Sequence, residues 1–284
     1  MKPSRFTYHR PTSVEQALGL LDELGPHAKV LAGGQSLIPI MNMRLAAPEH
    51  IIDINRIHEL TKITIDDDKV VVGALVRHAD LQSDSGVAAA VPVIAQALGL
   101  VAHPAIRNRG TTVGSIVHAD PSAEMPAVLA LTGGTLQVAS VTGQRDIAAD
   151  ELFIGPLETS MRPGEMAISA TFPVGPASVR TTITEVSRRH GDYALAGVAL
   201  RLDVENGDVR SAAVAYFALA SVPVLVDLTD QFVGPLSGLD LQAVADVAVA
   251  GLEPEDDIHA TAAYRLQLAR TLTYRALCQL AEQE

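Results

Sequence analysis

Two adjacent glycines, Gly33 and Gly34, stand between a short apolar run and an apolar segment that begins at Leu37. Glycine lets backbone amides converge on an anion and lets a phosphate approach without a Cβ in the way, and a helix start adds favourable dipole potential. The segment therefore suits a pyrophosphate cradle. A tight turn between a strand and a helix explains the same glycines without a ligand. Neither GxGxxG nor GxxxxGK[ST] occurs, which argues against an ordinary Rossmann dinucleotide fold or a P-loop.

A second segment rich in glycine and hydroxyl side chains runs from Arg109 to Pro121 and leads into an apolar run. Asp120 is placed to cap a helix whose first residue is Pro121, because proline lacks the N–H that the first helical turn leaves unpaired. The same carboxylate could accept hydrogen bonds from the hydroxyls of a ligand. The sequence favours both roles for Asp120, and they are compatible.

Other chemistries have weaker support. His118, Asp120 and Glu124 fall within seven residues, but no further ligands accompany them and Glu124 suits the first turn of a helix, so we predict no metal site. The serine-hydrolase pattern GxSxG is absent. Cys278 lies between two leucines of the last apolar run and is interpreted as a small buried apolar residue.

The elements around the first glycine pair form a compact βαβ-like unit. Thr12 and Ser13 offer an N-cap to an amphipathic run that ends at Gly25 and Pro26. The pattern predicts helices from Val14 to Leu24 and from Leu37 to Leu45, and strands from Lys29 to Ala32 and from His50 to Ile54.

The middle region opens on alternating apolar residues between Ile63 and Val72, which flank three aspartates and predict a β-hairpin. We predict helices from His78 to Ser83, from Val87 to Val101 and from Pro121 to Thr132, and strands from Thr135 to Ala139 and from Ala167 to Pro173.

The last third contains three predicted strands, of which the second and third are joined through Asn206 and Gly207, a strong hairpin pattern. The strands are expected from Thr181 to Arg188, from Ala194 to Val204 and from Val209 to Ala218, and helices from Leu239 to Ala250 and from Thr261 to Leu280. These changes of pattern predict three parts, at residues 1–57, 58–176 and 177–284.

Composition excludes several protein classes. The 284 residues include 21 Lys+Arg and 33 Asp+Glu, a formal charge of −12, which disfavours nucleic-acid binding. A single cysteine excludes disulfide frameworks and cysteine-ligated clusters. The long uncharged runs carry proline, glycine or histidine, and the N-terminus lacks an apolar leader. We expect no transmembrane segment, and a cytoplasmic protein.

The motifs, taken in order, resemble the FAD-binding medium subunit of the molybdenum hydroxylase family, which includes carbon monoxide, nicotine, caffeine and xanthine dehydrogenases. The resemblance covers nearly the whole chain. It rests on the two loops about eighty residues apart and on further short motifs, namely Phe6-x-Tyr8, Pro11-Thr12-Ser13, Pro48-x-x-Ile51-Ile52-Asp53-Ile54, Gly73-Ala74, His118-Ala119-Asp120-Pro121, Gly191-Asp192-Tyr193-Ala194, Tyr264-Arg265 and Arg275-Ala276-Leu277.

The resemblance implies an α+β chain with an FAD-binding fold of the vanillyl-alcohol oxidase (PCMH) type: two α/β subdomains and a C-terminal domain with a three-stranded antiparallel sheet and helices. It also implies that the FAD pyrophosphate is wrapped by the two loops, and that Asp120 contacts FAD near its ribityl chain or ring. Tyr193 resembles the aromatic residue beside the isoalloxazine, although an ordinary strand aromatic would look the same. The expected cofactor-binding residues are Ala32, Gly33, Gly34, Gln35, Ser36, Leu37, Thr111, Thr112, Val113, Gly114, Ser115 and Asp120.

One position departs from the family pattern. Relatives commonly show Gly-Thr-Ile-Gly-Gly-Ser, whereas Val113 stands here where the first of the paired glycines is usual. If this position requires a positive φ or close phosphate approach, the valine should be strained by about 1 to 3 kcal/mol. FAD is still expected to bind, and a Val113→Gly variant that binds FAD more tightly would support the strain.

By the resemblance, the chain is the electron-transfer subunit of a heterotrimeric hydroxylase. A large molybdenum pterin subunit oxidises substrate, a small subunit carries [2Fe-2S] clusters, and FAD in this chain passes electrons to an external acceptor. A dimer of heterotrimers is expected, in the cytoplasm or loosely associated with the inner face of the membrane. None of this chain's residues need act as a catalytic acid or base. The alternatives are a free-standing FAD oxidase or dehydrogenase of the vanillyl-alcohol oxidase type and a non-catalytic nucleotide-binding assembly module.

Overall fold

The computed structural model describes residues 2–283, and its first part is a three-stranded parallel sheet with two helices. The predicted βαβ-like unit is present, with Ser13 capping the first helix through the amide of Gln16. An additional edge strand precedes it, and the second helix ends earlier than expected. In the order of the sheet the strands are β1 (Thr7–His9), β3 (His50–Asp53) and β2 (Ala28–Leu31), and the helices are α1 (Val14–Leu24) and α2 (Leu37–Asn42).

The second part is a five-stranded antiparallel sheet covered by helices. The predicted hairpin around the three aspartates forms one edge. In the order of the sheet the strands are β4 (Ile63–Ile65), β5 (Lys69–Gly73), β10 (Met166–Pro173), β6 (Thr135–Ser140) and β7 (Gly143–Ala148). The helices are α3 (His78–Ser83), α4 (Ser85–Ala90), α5 (Pro92–Leu100), α6 (Pro104–Arg107), α7 (Thr112–His118), α8 (Glu124–Thr132) and α9 (Ala149–Leu152), and a small hairpin joins β8 (Phe153–Gly155) to β9 (Glu158–Thr159).

Two helix predictions in this part are wrong in detail. The long helix expected from Val87 to Val101 is divided into α4 and α5, because Pro92 cannot donate a backbone hydrogen bond and disfavours helical backbone at the residue before it. The helix expected from Pro121 begins instead at Glu124. Residues 120–123 form a turn, in which the amide of Ala123 donates to the carbonyl of Asp120.

The third part is an antiparallel sheet of four strands, one more than expected. The predicted Asn206-Gly207 hairpin is confirmed, with both residues at positive φ. In the order of the sheet the strands are β11 (Val179–Ser187), β12 (Ala194–Glu205), β13 (Asp208–Phe217) and β14 (Val224–Asp227). Two helices, α10 (Leu241–Val249) and α11 (Ala262–Ala281), pack on one face of this sheet.

The core consists of two apolar clusters. One is shared by the first two sheets and extends to the near face of β12 and β13 through Ala199, Ala215 and Phe217. The other fills the space between the opposite face of the third sheet and helices α10 and α11. Packing on both faces of the third sheet explains why the residues of β12 are almost continuously apolar. The exact domain boundaries stay a prediction.

Two smaller findings complete the fold. Within residues 2–283, no helix has both the length and the apolar character needed to cross a bilayer. Cys278 is half-buried and is not enclosed in the core as expected, because the last helix turns a different face, with Ala276, Leu277 and Leu280, toward the sheet.

Candidate functional site

The two glycine loops, separated in the sequence, touch one another in the structure. A Cβ built on Gly33 would lie 2.5 Å from the carbonyl oxygen of Arg109 and 2.7 Å from the Cα of Gly110. Only glycine allows this approach, because any side chain would overlap backbone atoms. The contact brings the carboxyl end of β2 together with the segment that precedes α7.

Both loops line one cleft of about 1180 Å³. This volume slightly exceeds the roughly 300 to 1,000 Å³ of typical small-molecule sites, so the cleft has room for a dinucleotide. The predicted residues that line it are Ala32, Gly33, Gly34, Gln35, Ser36, Leu37, Thr111, Val113, Gly114, Ser115, Asp120 and Tyr193. Thr112 does not line it, since its side chain is fully buried and its Oγ1 lies 3.1 Å from Nδ1 of His78.

The first loop presents backbone donors to the cleft. Within residues 2–283, the amides of Gly34, Gln35, Ser36 and Leu37 donate to no protein acceptor, whereas the next amide, of Ile38, donates to the carbonyl of Gly34. Gly34 has a φ of 71°, a left-handed conformation that favours glycine. Unpaired amides that line a cleft suit an anionic ligand.

Part of the second loop is helical, which the sequence pattern did not predict, because helix α7 begins inside it. Thr111 caps this helix, and its Oγ1 accepts from the amide of Gly114 at 3.1 Å. Val113 lies in the first turn of α7, outside the set of residues with positive φ, and its side chain is 2% exposed. The positive φ that would strain Val113 is therefore absent: a helical φ suits valine, and its methyl groups pack in the core. Strain from close phosphate approach stays a prediction.

Asp120 does not cap helix α8, contrary to expectation. One carboxylate oxygen, Oδ1, accepts from the amide of Ser122 at 2.9 Å, and the residue at the helix cap is Ala123. The chain is diverted here because the carbonyl of Pro121 accepts from the amide of Ala218, at the end of β13. Asp120 is thereby held at the wall of the cleft.

Acidic and phenolic groups collect around Asp120 at the wall of the cleft. Tyr193 is 67% exposed and directly precedes β12, so it is not an ordinary buried strand aromatic. Desolvation of the Tyr193 hydroxyl and the carboxylates of Asp120 and Glu124 raise the pKa of Tyr193. Removal of water from the Glu124 carboxyl raises its pKa to about 7, and the neighbouring Asp120 adds to this effect.

Glu185 on strand β11 extends this acidic group, although no sequence motif singled it out. Desolvation, reinforced by the charge of Glu124, raises the pKa of Glu185 to about 8. Its Oε2 atom is buried and has no hydrogen-bond partner within residues 2–283. A glutamate inside a strand was the available indication, because acidic residues are depleted in strands and rarely buried without a partner.

The third part of the chain lines one side of the cleft through Arg265. This arginine is 7% exposed, and its Nη1 donates to the carbonyls of Leu195 and Ala218. Its Nη2 donates to Oδ2 of Asp257 at 2.6 Å. The backbone amides of Ala260 and His259, followed by Arg265, lower the pKa of Asp257 to about 2. These hydrogen bonds fix the loop before α11 against strand β12.

Comparisons with known proteins agree with this geometry. Residues 4–175 match the family model described as the FAD binding domain in molybdopterin dehydrogenase, and residues 181–280 match the CO dehydrogenase flavoprotein C-terminal domain. The alpha subunit of the 6-hydroxypseudooxynicotine dehydrogenase complex of Paenarthrobacter nicotinovorans is 38% identical, over 98% of this chain and 95% of its own length. The carbon monoxide dehydrogenase medium chain of Hydrogenophaga pseudoflava is 36% identical, over 98% and 97%.

Solved structures show the same fold. A carbon monoxide dehydrogenase from Hydrogenophaga pseudoflava that lacks the Mo-pyranopterin moiety contains a chain with a TM-score of 0.94 and 36% identity, covering 99% of this chain and 98% of that chain. Quinoline 2-oxidoreductase from Pseudomonas putida 86 also gives 0.94, at 35% identity and 99% coverage of both chains. The predicted fold class and family are confirmed. The chain belongs to the FAD-binding medium subunits of the molybdenum hydroxylases, and it is an FAD-containing subunit of a dehydrogenase complex.

Proposed function

We propose that the cleft between the two glycine loops holds FAD, with its diphosphate against the first loop and the start of α7. The observation that carries this assignment is the set of unpaired amides at Gly34, Gln35, Ser36 and Leu37, on a loop that packs against Arg109. The amide of Val113 also has no acceptor within residues 2–283 and lies on the same cleft. A diphosphate needs such donors and a backbone without side chains close to it, so the donor set fits the group.

The part of the cleft wall around Asp120 suits the flavin ring. Asp120 and Tyr193 stand at its wall, with Glu124 beside them. When bound, FAD accepts electrons singly and delivers them in pairs to an acceptor. The residues of this chain orient the ring, limit its contact with water and set the charge around it. Thr112 is left out of the binding set, since its hydroxyl is engaged with His78.

The chain then works as the electron-transfer subunit of a larger enzyme. Relatives are named as subunits or medium chains of such complexes. With Cys278 as its one cysteine, this chain cannot hold an iron–sulfur cluster, so electrons must arrive from another subunit. The proposed partners are a large molybdopterin subunit and a small [2Fe-2S] subunit, arranged as a dimer of heterotrimers that passes electrons to an external acceptor. The proposed location is the cytoplasm, with or without loose association with the inner face of the membrane.

A charge substitution tests the position of the diphosphate. Ser36→Asp places a carboxylate among the unpaired amides, where it would repel a phosphate and take its donors. FAD affinity should fall by about a hundredfold or more, which corresponds to about 3 kcal/mol. Ser237→Asp is the matched control, because Ser237 is exposed and lies outside the cleft. Titration of the flavin-free chain with FAD, followed by flavin fluorescence, measures both. Equal affinities for the two variants would contradict the assignment.

A second experiment tests the complex. The chain is produced with its neighbouring genes, purified through a tag, and assayed for flavin, iron and molybdenum, with the mass of the assembly measured by light scattering. Co-purification of all three with a mass of two heterotrimers supports the proposal. A colourless preparation would contradict FAD binding, and bound flavin that a small organic substrate reduces without partners would favour a free-standing oxidase.

A further inference from the structure

The two FAD loops lie in different parts of the fold, the first after strand β2 and the second between helices α6 and α7, and two side chains outside the cleft connect them. Asn55 follows strand β3 of the first sheet, and Arg77 follows strand β5 of the second. Within residues 2–283, no hydrogen bond runs directly between residues 32–37 and residues 109–115. The contact of Gly33 with Arg109 is therefore a packing contact, and the hydrogen-bonded connection passes through Asn55 and Arg77.

Asn55 binds the first loop from behind. Its Nδ2 donates to the carbonyl of Ala32 at 2.8 Å and to Oδ1 of Asp53 at 2.6 Å. Its Oδ1 accepts from Nη2 of Arg77 at 2.6 Å. These partners fix the orientation of the amide, because a reversed amide would set its oxygen against two acceptors and its nitrogen against a guanidinium.

Arg77 binds the second loop. Its Nη1 donates to the carbonyl of Arg109 at 2.6 Å, while Nη2 holds Asn55. The backbone of Arg77 also forms an isolated antiparallel bridge with Thr111, the residue that caps α7. The guanidinium is planar and its donors point in fixed directions, so it suits this double contact. It therefore holds the side chain of Asn55 at a set distance from the carbonyl of Arg109.

The series of hydrogen bonds through Arg77 and Asn55 ends at Asp53, which is itself held in place. Asp53 is 8% exposed; its Oδ1 accepts from the backbone amide of Asn55 at 2.9 Å, and its Oδ2 accepts from the hydroxyl of Tyr8 on strand β1. All three strands of the first sheet thus contribute, through Tyr8, Asp53 and the carbonyl beyond β2. The arrangement positions the Ala32 carbonyl relative to the whole first sheet.

We propose that Asn55 and Arg77 are positioning residues that set the spacing of the two glycine loops and thereby the affinity for FAD. The inference rests on the proposed FAD cleft. Asn55 binds the backbone carbonyl of Ala32, and Arg77 binds that of Arg109. Each carbonyl belongs to one of the two loops that line the proposed FAD cleft or directly precedes it. A site whose donors are already spaced for the diphosphate binds more tightly, because binding does not have to order the loops. Neither residue touches FAD in this role.

The test uses the full chain, with any subunits that accompany it, freed of flavin by dialysis. The variants are Asn55→Ala, Arg77→Ala and the double variant, with Arg77→Lys as the conservative replacement. Arg180→Ala is the matched control, since Arg180 is also half-buried and donates through Nη1 to a distant carbonyl, that of Leu280, away from the cleft. FAD fluorescence titration measures Kd, and urea unfolding of the flavin-free chain measures stability.

We expect Kd for FAD to rise by about tenfold or more in each alanine variant, as for the loss of a partner to a buried polar group. The double variant should bind no more weakly than the weaker single variant, because both side chains are links of one connection. Arg77→Lys should recover part of the affinity by reaching one of the two acceptors. Arg180→Ala should leave Kd within about twofold of the original chain, whatever its effect on stability.

Other outcomes would overturn the inference. An unchanged Kd in Asn55→Ala, or additive losses in the double variant, would show that the bridge does not set loop spacing. A Kd that rises as much in Arg180→Ala as in Arg77→Ala, at equal loss of stability, would assign the effect to general destabilisation. Failure of the proposed function is separate, since in that case the original chain itself would bind no FAD.

Discussion

Gly33 lies directly against the backbone carbonyl of Arg109, so close that a Cβ at Gly33 would stand 2.5 Å from that oxygen. The two residues come from different parts of the fold, and their contact joins the two loops that line the cleft assigned to FAD. Backbone atoms on both sides cannot move away without displacing the sheets. The absence of a side chain at Gly33 therefore decides how closely the loops approach.

Gly33→Ala should separate the loops and lower both stability and FAD affinity. Overpacking against backbone costs about 1 to 3 kcal/mol of unfolding free energy. Gly19→Ala is the control, since this glycine is in helix α1 and a new Cβ would meet no atom within 4 Å apart from the backbone of its own helix. It should stabilise the chain by about 0.5 to 1 kcal/mol. Urea unfolding and FAD titration check both variants. A Gly33→Ala chain as stable as the original would contradict the close contact.

Val113→Gly should destabilise the chain without tightening FAD binding. The valine lies in helix α7 with its side chain 2% exposed, so glycine removes buried apolar surface and weakens the helix, at a cost of about 3 kcal/mol. Val247→Gly, at a half-exposed position of helix α10, should cost about 0.5 kcal/mol through helix propensity alone. Urea unfolding provides the comparison. Tighter FAD binding by Val113→Gly would contradict this prediction and support strain at Val113.

The carboxyl groups of Glu124 and Glu185 should make the flavin-free chain less stable at alkaline pH. Their pKa values rise from 4.5 to about 7 and about 8 on folding, so the folded chain holds protons that the unfolded chain has released. This favours folding fully below about pH 4.5, and the benefit is lost as pH rises through the folded values. Unfolding free energy should therefore fall between pH 5 and about pH 8.5, as urea curves at several pH values would show.

Substitution separates this effect from other titrations. Glu185→Gln keeps a neutral side chain at all pH values, so it should match the original chain near pH 5 and exceed its stability near pH 8.5. Glu165→Gln serves as the contrast, because Arg145 lowers the pKa of Glu165 and this carboxylate is ionised throughout that range. It should lower stability by a similar amount at both pH values. Parallel curves for Glu185→Gln and the original chain would exclude Glu185 as a source.

Arg265→Ala should strongly destabilise the chain and release the loop before α11. The substitution leaves the carbonyls of Leu195 and Ala218 without their donor, at a cost of about 2 to 4 kcal/mol. Arg270→Ala is the control, since its ion pair with Asp246 is half-exposed and should contribute little. Thermal unfolding measures stability, and limited proteolysis reports release of the loop. An Arg265→Ala chain no less stable than Arg270→Ala would contradict this role.

Local features of the chain were predictable because they depend on neighbouring residues. Ser13 and Thr261 cap helices whose starts were expected within a residue or two, and Asn206-Gly207 makes the predicted turn with both residues at positive φ. The glycine pair at Gly33 and the loop that ends at Asp120 were recognised from residue types and order. Family resemblance added the cofactor, which turn chemistry alone left open.

The sequence alone determined which segments could form a phosphate-binding site, and only the tertiary structure decided how they meet. Helix α8 starts late because the carbonyl of Pro121 pairs with Ala218, almost a hundred residues away. Glu185 has an altered pKa because other elements exclude water around it. Asn55 joins Arg77 because two sheets pack together. Each of these depends on contacts between distant segments, which no local pattern of residues specifies.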